Sequence, residues 1–198
     1  MALGCDTATT LTAARLQSLV NDKYTFVGRY LAGSYVMSSA EAKRISNTGL
    51  YIISIWEKGK PTRPSYFTAA QGTTDGQSAI SAAKALGQPA GTPIYFTVDY
   101  DASSSDIKGP ITTYLQAVKK VFEDDNHYYA LGLYGSGSVL SYFKNTYTYT
   151  WLAGATAWRG SDTFTGWFIK QYANGTTIDS FTVDKDDSNG SAGGWKAG

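Results

Sequence analysis

The chain has 198 residues, enough for one domain with a sizeable core. Its 17 basic and 16 acidic residues leave a formal charge of +1, so no global field draws it to nucleic acid or to an anionic membrane surface. The single cysteine, Cys5, excludes an intrachain disulfide, and one His with one Cys leaves no ordinary zinc cluster and argues against a Ser-His-Asp triad.

The start, Met1-Ala2-Leu3-Gly4-Cys5-Asp6, lacks the basic and apolar regions of a signal peptide, so an exported parent is expected to have lost its leader and gained Met1. No uninterrupted apolar run approaches the ~18 residues of a membrane span. Ala2–Asp6 reads as a first strand, followed by a helix from about Leu11 to Asp22 with apolar residues at Leu11, Ala14, Leu16 and Leu19. Phe26–Leu31 reads as a second strand, and Ser38-Ser39-Ala40-Glu41 as a capping box opening a helix that ends near Gly49. Tyr51–Trp56, apolar nearly throughout, is a third strand buried on both faces. Asp75 is placed as the cap of a helix stopping at Gly87. Pro93–Asp101 is the fourth strand, and a helix from about Ser105 to Asp124 carries Ile111, Leu115, Val118 and Phe122 on one face. Tyr128–Tyr134 is a fifth strand and Gly137–Lys144 a short helix. Thr150–Trp158, Trp167–Tyr172 and Phe181–Asp184 are three further strands with little room between them.

Five strand–helix units and three more strands predict an α/β fold: a small, irregular (β/α)8 TIM-type barrel, its strands parallel and its helices reduced after the fifth strand. A doubly wound open sheet is the competitor. The barrel is preferred because acidic residues recur at strand ends, at Asp6, Glu57, Asp99, Asp101 and Asp184, and a barrel gathers such ends at one mouth. Residues 1–188 are assigned to the barrel and 189–198 to a flexible tail or linker.

In the fourth strand Asp99 and Asp101 are two residues apart, so both are expected on one face with Cα atoms about 6.5–7 Å apart. Carboxylates that close repel, which can keep one protonated and the other ionised, as glycoside cleavage requires. The plainer alternative makes each a turn former or helix cap. Few charges (17%) and many aromatics (14%, with 15 Tyr and 5 Trp) suit neutral polar ligands such as sugars, although aromatics also fill strand-rich cores. Asp99-x-Asp101-x-Ser103 and Asp184-x-Asp186-x-Ser188 echo calcium loops but lack Gly at the sixth position and Glu at the twelfth, so no metal or cofactor is expected.

Gly4-Cys5-Asp6, Phe26–Leu31, Gly72-Thr73-Thr74-Asp75 with Gly87, Tyr95–Asp101, Gly132-Leu133-Tyr134-Gly135 and Gln171-Tyr172 follow one another in this order. Together, over about residues 2–187, they resemble the glycoside-hydrolase-like domain once catalogued as domain of unknown function 1906, which is related to the family 25 lysozymes that cut the glycan of peptidoglycan. The resemblance implies an acid ending strand 1, a pair ending strand 4 and an acid on strand 8, matching Asp6, Asp99 with Asp101, and Asp184. It departs at Asp101, where the lysozymes place Glu: Asp is shorter by roughly 1.5 Å, and misplacement of that order can cost ~100-fold in rate.

On this reading Asp101 is the general acid, Asp99 stabilises charge or orients, and Asp6 and Asp184 position water or substrate, with a substrate acetamido group as nucleophile. Arg29 is a candidate substrate contact, or an ion-pair partner for one of these acids inside the barrel. Trp56, Tyr134, Trp158 and Tyr172 are candidates for stacking on sugars, Gln171 for contacting them, and Glu57 is a second candidate acid; core filling or a solvated loop end is the plainer role for each. The expectation is a monomeric, secreted or cell-wall-associated bacterial glycosidase acting on peptidoglycan or a related N-acetylated glycan, with no nucleic-acid partner and no membrane span. The alternative is a non-catalytic carbohydrate-binding or cell-surface domain on the same fold.

Overall fold

The structure is a computed structural model that describes residues 1–190 and 192–198. Eight strands close into one barrel in sequence order: β1 (Ala2–Asp6), β2 (Phe26–Tyr30), β3 (Tyr51–Trp56), β4 (Pro93–Thr97), β5 (Ala130–Gly135), β6 (Tyr149–Leu152), β7 (Ile169–Ile178) and β8 (Phe181–Ser188). The open sheet is thereby excluded. β1 to β7 run parallel, whereas β8 is antiparallel to both its neighbours, a correction to the expected all-parallel barrel. The reason is local. Only Asp179 and Ser180 separate β7 from β8, and a parallel return needs a crossover of about a dozen residues. Asp179 takes up the tight reversal with φ 48°.

Helices pack on the outside: α1 (Ala13–Asn21), α2 (Ser39–Asn47), α3 (Ala69–Ala85), the short α4 (Ser104–Asp106), α5 (Thr112–Asp124) and α6 (Gly137–Phe143). A π-helical turn over Ile107–Ile111 joins α4 to α5 and accommodates Pro110, which has no N–H to give. Hydroxyls cap the starts of α1, α2, α3, α4 and α6 through Thr12, Ser38, Thr68, Ser103 and Ser136. Two expected caps are corrected. Glu41 does not close a box on Ser38; its carboxylate turns instead to Arg29 and to the Leu11 N–H. The third helix starts at Ala69, so Asp75 lies inside it, where it accepts hydrogen bonds from Tyr66, Tyr114 and Gln71. Gly72 is needed there because a Cβ would lie 2.3 Å from the Tyr114 carbonyl oxygen of α5.

Inward side chains of alternate residues fill the barrel, with Phe26, Ile53, Ile55, Tyr95, Trp151 and Ile169 as its buried core. Two larger clusters lie between barrel and helices. The expected flexible tail is in fact docked. Trp195 exchanges backbone hydrogen bonds with Ile52 (2.8 and 3.0 Å), its indole donates to Ser54 (2.9 Å), and the Tyr95 hydroxyl donates to the Ala192 carbonyl (2.9 Å). Ser191, within that expected tail, lies outside the described residues. No helix among the described residues is long and apolar enough to cross a membrane.

Candidate active site

The mouth of the barrel holds a pocket of about 140 Å³, lined by Asp6, Tyr30, Ile55, Glu57, Tyr95, Thr97, Asp99, Tyr134, Trp151, Gln171 and Asp184. Strand direction explains the gathering. The C-terminal ends of the parallel strands bring Asp6, Glu57, Thr97, Asp99 and Tyr134 to one rim, and the reversed β8 delivers Asp184 from mid-strand, directly opposite Asp6. Gly28 leaves the space for this cluster, since a Cβ there would meet the Trp151 ring at 2.7 Å and Asp6 Cβ at 2.8 Å.

Gln171 organises the acids. Its Nε2 donates to Asp6 (2.8 Å) and Asp184 (3.4 Å), while its Oε1 accepts from the Gly154 N–H (3.0 Å) and the Tyr134 hydroxyl (3.1 Å). The Gly175 N–H also donates to Asp184 (2.6 Å). One inward step below Asp184 on β8 lies Asp186, fully buried, accepting from the Trp151 indole N–H at 3.0 Å.

No Lys or Arg lines the pocket, so burial dominates its electrostatics. Asp6 is pushed up to about 8, first by desolvation and then by the charge of Asp184. Glu57 is pushed up to about 7 by desolvation and by Asp99, with the Thr97 hydroxyl pulling the other way. Desolvation and Asp184 raise Asp99. Desolvation, then Asp6, holds Asp186 well above the usual carboxylate range. The arrangement can present neutral and ionised carboxyls to one ligand at neutral pH, the combination acid–base chemistry on a glycosidic bond needs.

Of the residues singled out in the sequence, Asp6, Glu57, Asp99, Tyr134, Gln171 and Asp184 converge here, and five others do not. β4 ends at Thr97; the chain stays paired with β5 through the Val98 N–H, so Asp99 still lines the pocket, but Asp101 beyond it does not. Asp101 instead accepts from the Arg159 backbone N–H (2.9 Å) and guanidinium (2.6 Å), outside the pocket. Arg29 points to the outer face of the barrel, fully buried, and pairs with Glu41 of α2 at 3.0 Å rather than with a pocket acid. Trp56 packs outward among the residues beneath α3 and α5. Trp158 lies in the β6–β7 loop beyond the pocket lining, and Tyr172 faces solvent on the outer side of β7. Tyr30, Thr97, Trp151 and Asp186 were missed. For Asp186 the Asp-x-Asp spacing with Asp184 was the available signal. Among the described residues, no group of three or more His, Cys, Asp or Glu is arranged to hold a metal ion.

A family model described as Rv2525c-like, glycoside hydrolase-like domain matches residues 17–196. The uncharacterized protein YbfG of Bacillus subtilis is 34% identical over 96% of the chain, and the chain spans 29% of YbfG's length. Among solved structures, the Tat-secreted protein Rv2525c of Mycobacterium tuberculosis, in complex with L-tartrate, superposes with a TM-score of 0.81 at 21% identity, covering 98% of both chains. A bacterial lysozyme from Streptomyces coelicolor superposes at 0.63 with 16% identity, covering 96% of this chain and 93% of the lysozyme. At these identities the superpositions establish the shared fold.

Proposed function

The chain belongs to the Rv2525c-like glycoside hydrolase-like family, and from that footing we propose that it is a glycosidase acting on bacterial cell-wall glycan, peptidoglycan or a related N-acetylated polysaccharide, outside the cell. The observation that carries this reading is the Glu57–Asp99 pair: two carboxyls lining one pocket, both raised, with no cation among the lining residues. The similarity to a lysozyme and to a secreted protein supports the substrate class and the location.

Glu57, titrating near neutrality, takes the part of general acid that the strand-4 pattern assigned to Asp101. It protonates the glycosidic oxygen as the C1–O bond breaks and the electron pair goes to the leaving sugar. The substrate's acetamido oxygen closes on C1, with Asp99 orienting the amide N–H. Water then opens that ring and returns a proton to Glu57. Asp6, Asp184 and Gln171 hold the sugar hydroxyls, and Tyr30, Tyr134 and Trp151 offer ring faces or edges to the sugar.

The test is release of new reducing ends from peptidoglycan and from chitin-type oligomers. Glu57→Gln and Asp99→Asn are expected to lower release by about 10²-fold or more, and Asp101→Asn by far less. Wild-type protein that releases nothing from any of these glycans refutes the enzyme reading. Two observations favour the second reading, a glycan-binding domain without turnover. Asp101 is tied to Arg159 outside the pocket, and about 140 Å³ is small beside the ~300–1,000 Å³ of common ligand sites. Saturable glycan binding without release would select it.

A further inference from the structure

Asp186 is the one acid of this cluster that cannot touch a ligand: it is fully buried beneath the pocket and does not line it. Its register explains the position. Asp186 lies opposite Gly4 of β1 and two residues along β8 from Asp184, so both point into the barrel. One carboxylate oxygen, Oδ1, accepts from the Trp151 indole. The other, Oδ2, is buried without a donor. The carboxyl above it, Asp6, is within hydrogen-bonding reach and is itself supplied by Gln171.

Two carboxyls in contact need a proton between them, and an ionised Asp186 would leave a charge buried with a single donor. The other titratable groups around it do not offer a compensating charge. Cys5 and Asp6 on β1, Asp184 on its own strand, Tyr24 before β2, Tyr134 on β5 and Tyr172 on β7 are neutral or acidic, and Glu57 and Asp99 stand across the pocket. Lys170 and Lys185 belong to the opposite face of the sheet, and Arg29 is engaged by Glu41.

We propose that Asp186 is a positioning residue, a neutral carboxylic acid that donates its proton through Oδ2 to Asp6 and so fixes the orientation and the proton affinity of the pocket acid above it. The importance of Asp6 for the reaction rests on the glycosidase reading; the hydrogen bond does not. An anionic Asp6 is stabilised by that donation, so its loss makes Asp6 hold its proton more tightly.

The test is carboxyl-13C NMR of aspartate-labelled full chain, comparing wild type with Asp186→Asn and Asp186→Leu. In the wild type one buried carboxyl, absent from Asp186→Asn, is expected to stay in its protonated form across about pH 5–8. The Asn side chain can accept from Trp151 and donate to Asp6, so the Asp6 midpoint should stay in place. The Leu variant is expected to raise the proton affinity of Asp6 about tenfold. A clear fall in the Asp6 midpoint in Asp186→Asn would mean that a charge had been removed, and would overturn the proposal. So would a folded Leu variant with an unmoved midpoint; if that variant does not fold, the Asn comparison alone decides. The Asp6-governed limb of any pH–rate profile should follow the same order. A protein that cleaves no glycan defeats the functional reading but leaves this NMR result intact, so the two failures are distinguishable.

Discussion

Removing the Glu41 carboxylate should unfold much of what holds α2 to the barrel, and the size of the loss can be worked out. Glu41 and Arg29 are both buried, at 1% and 0% exposure. Arg29 donates to Glu41 through Nε (3.0 Å) and Nη2 (3.5 Å), and to the carbonyls of Thr7 and Tyr35. Glu41 also accepts the Leu11 N–H at 2.8 Å. Glu41→Ala leaves a buried guanidinium without its counter-charge, costing about 3–5 kcal/mol, and an unpaired N–H, costing about 1 kcal/mol more. For a chain of this size each kcal/mol shifts the melting temperature by roughly 2–4 °C, so the expected fall is about 8–24 °C by calorimetry. A double variant, Arg29→Met with Glu41→Leu, should recover most of it, because it removes both charges. A Glu41→Ala protein melting within about 2 °C of wild type would refute the reasoning. So would an Arg29→Met variant that loses glycan binding at undiminished stability, which would restore Arg29 as a substrate contact.

Further expectations follow from the site and from the acids packed outside it. Glu57 is raised from 4.5 to about 7 and Asp6 from 3.8 to about 8, so between roughly pH 4 and 8 the native state holds more protons than the unfolded chain. Stability therefore falls as pH rises through that window, and the melting temperature should be several degrees higher near pH 5 than near pH 8, with Glu57→Gln flattening the slope. Gly28→Ala forces a methyl group against Trp151 and Asp6; about 1–3 kcal/mol lost in urea unfolding, with weakened glycan binding, is expected. At pH 8, Asp99→Asn should raise the melting temperature while lowering glycan release, whereas Asp75→Ala should lower the melting temperature by several degrees and leave Glu57 titrating as before.

The barrel was legible because its strands announce themselves as short apolar runs and its helices by period and caps. The reversal of β8 was not. Ala173–Ile178 has few apolar residues, so the apolar pattern of β7 stops at Tyr172 and gives no sign of the two-residue turn at Asp179. The site was half legible for a related reason. Alternation along β4 carries past its end at Thr97 as far as Asp99, because the Val98 N–H still bonds the Tyr134 carbonyl, but it is lost by Asp101. Alternation also leaves open which face is inner when both are buried, and that ambiguity put Arg29 and Trp56 at the mouth instead of under the helices. The C-terminal residues looked like linker by their Gly and Ser content, yet Trp195 and its backbone pairing with Ile52 outweigh composition.

Buried acids occur here in two kinds, and the difference bears on function. Asp75 accepts from two tyrosine hydroxyls and a glutamine, and Glu41 from an arginine and a backbone N–H; each is satisfied by the fold and faces no cavity. Asp6, Glu57, Asp99 and Asp184 share a pocket with no cation among its lining residues, and Asp186 beneath them has an oxygen with no donor at all. Such an arrangement costs stability, since each raised carboxyl favours unfolding above its own pKa. Packing does not require it: neutral side chains of similar volume would fill the same mouth without repulsion. On the proposed glycosidase reading the cluster is chemistry held in place against the preference of the fold, with the reversed β8 as the element that brings Asp184 beside Asp6 and sets Asp186 below.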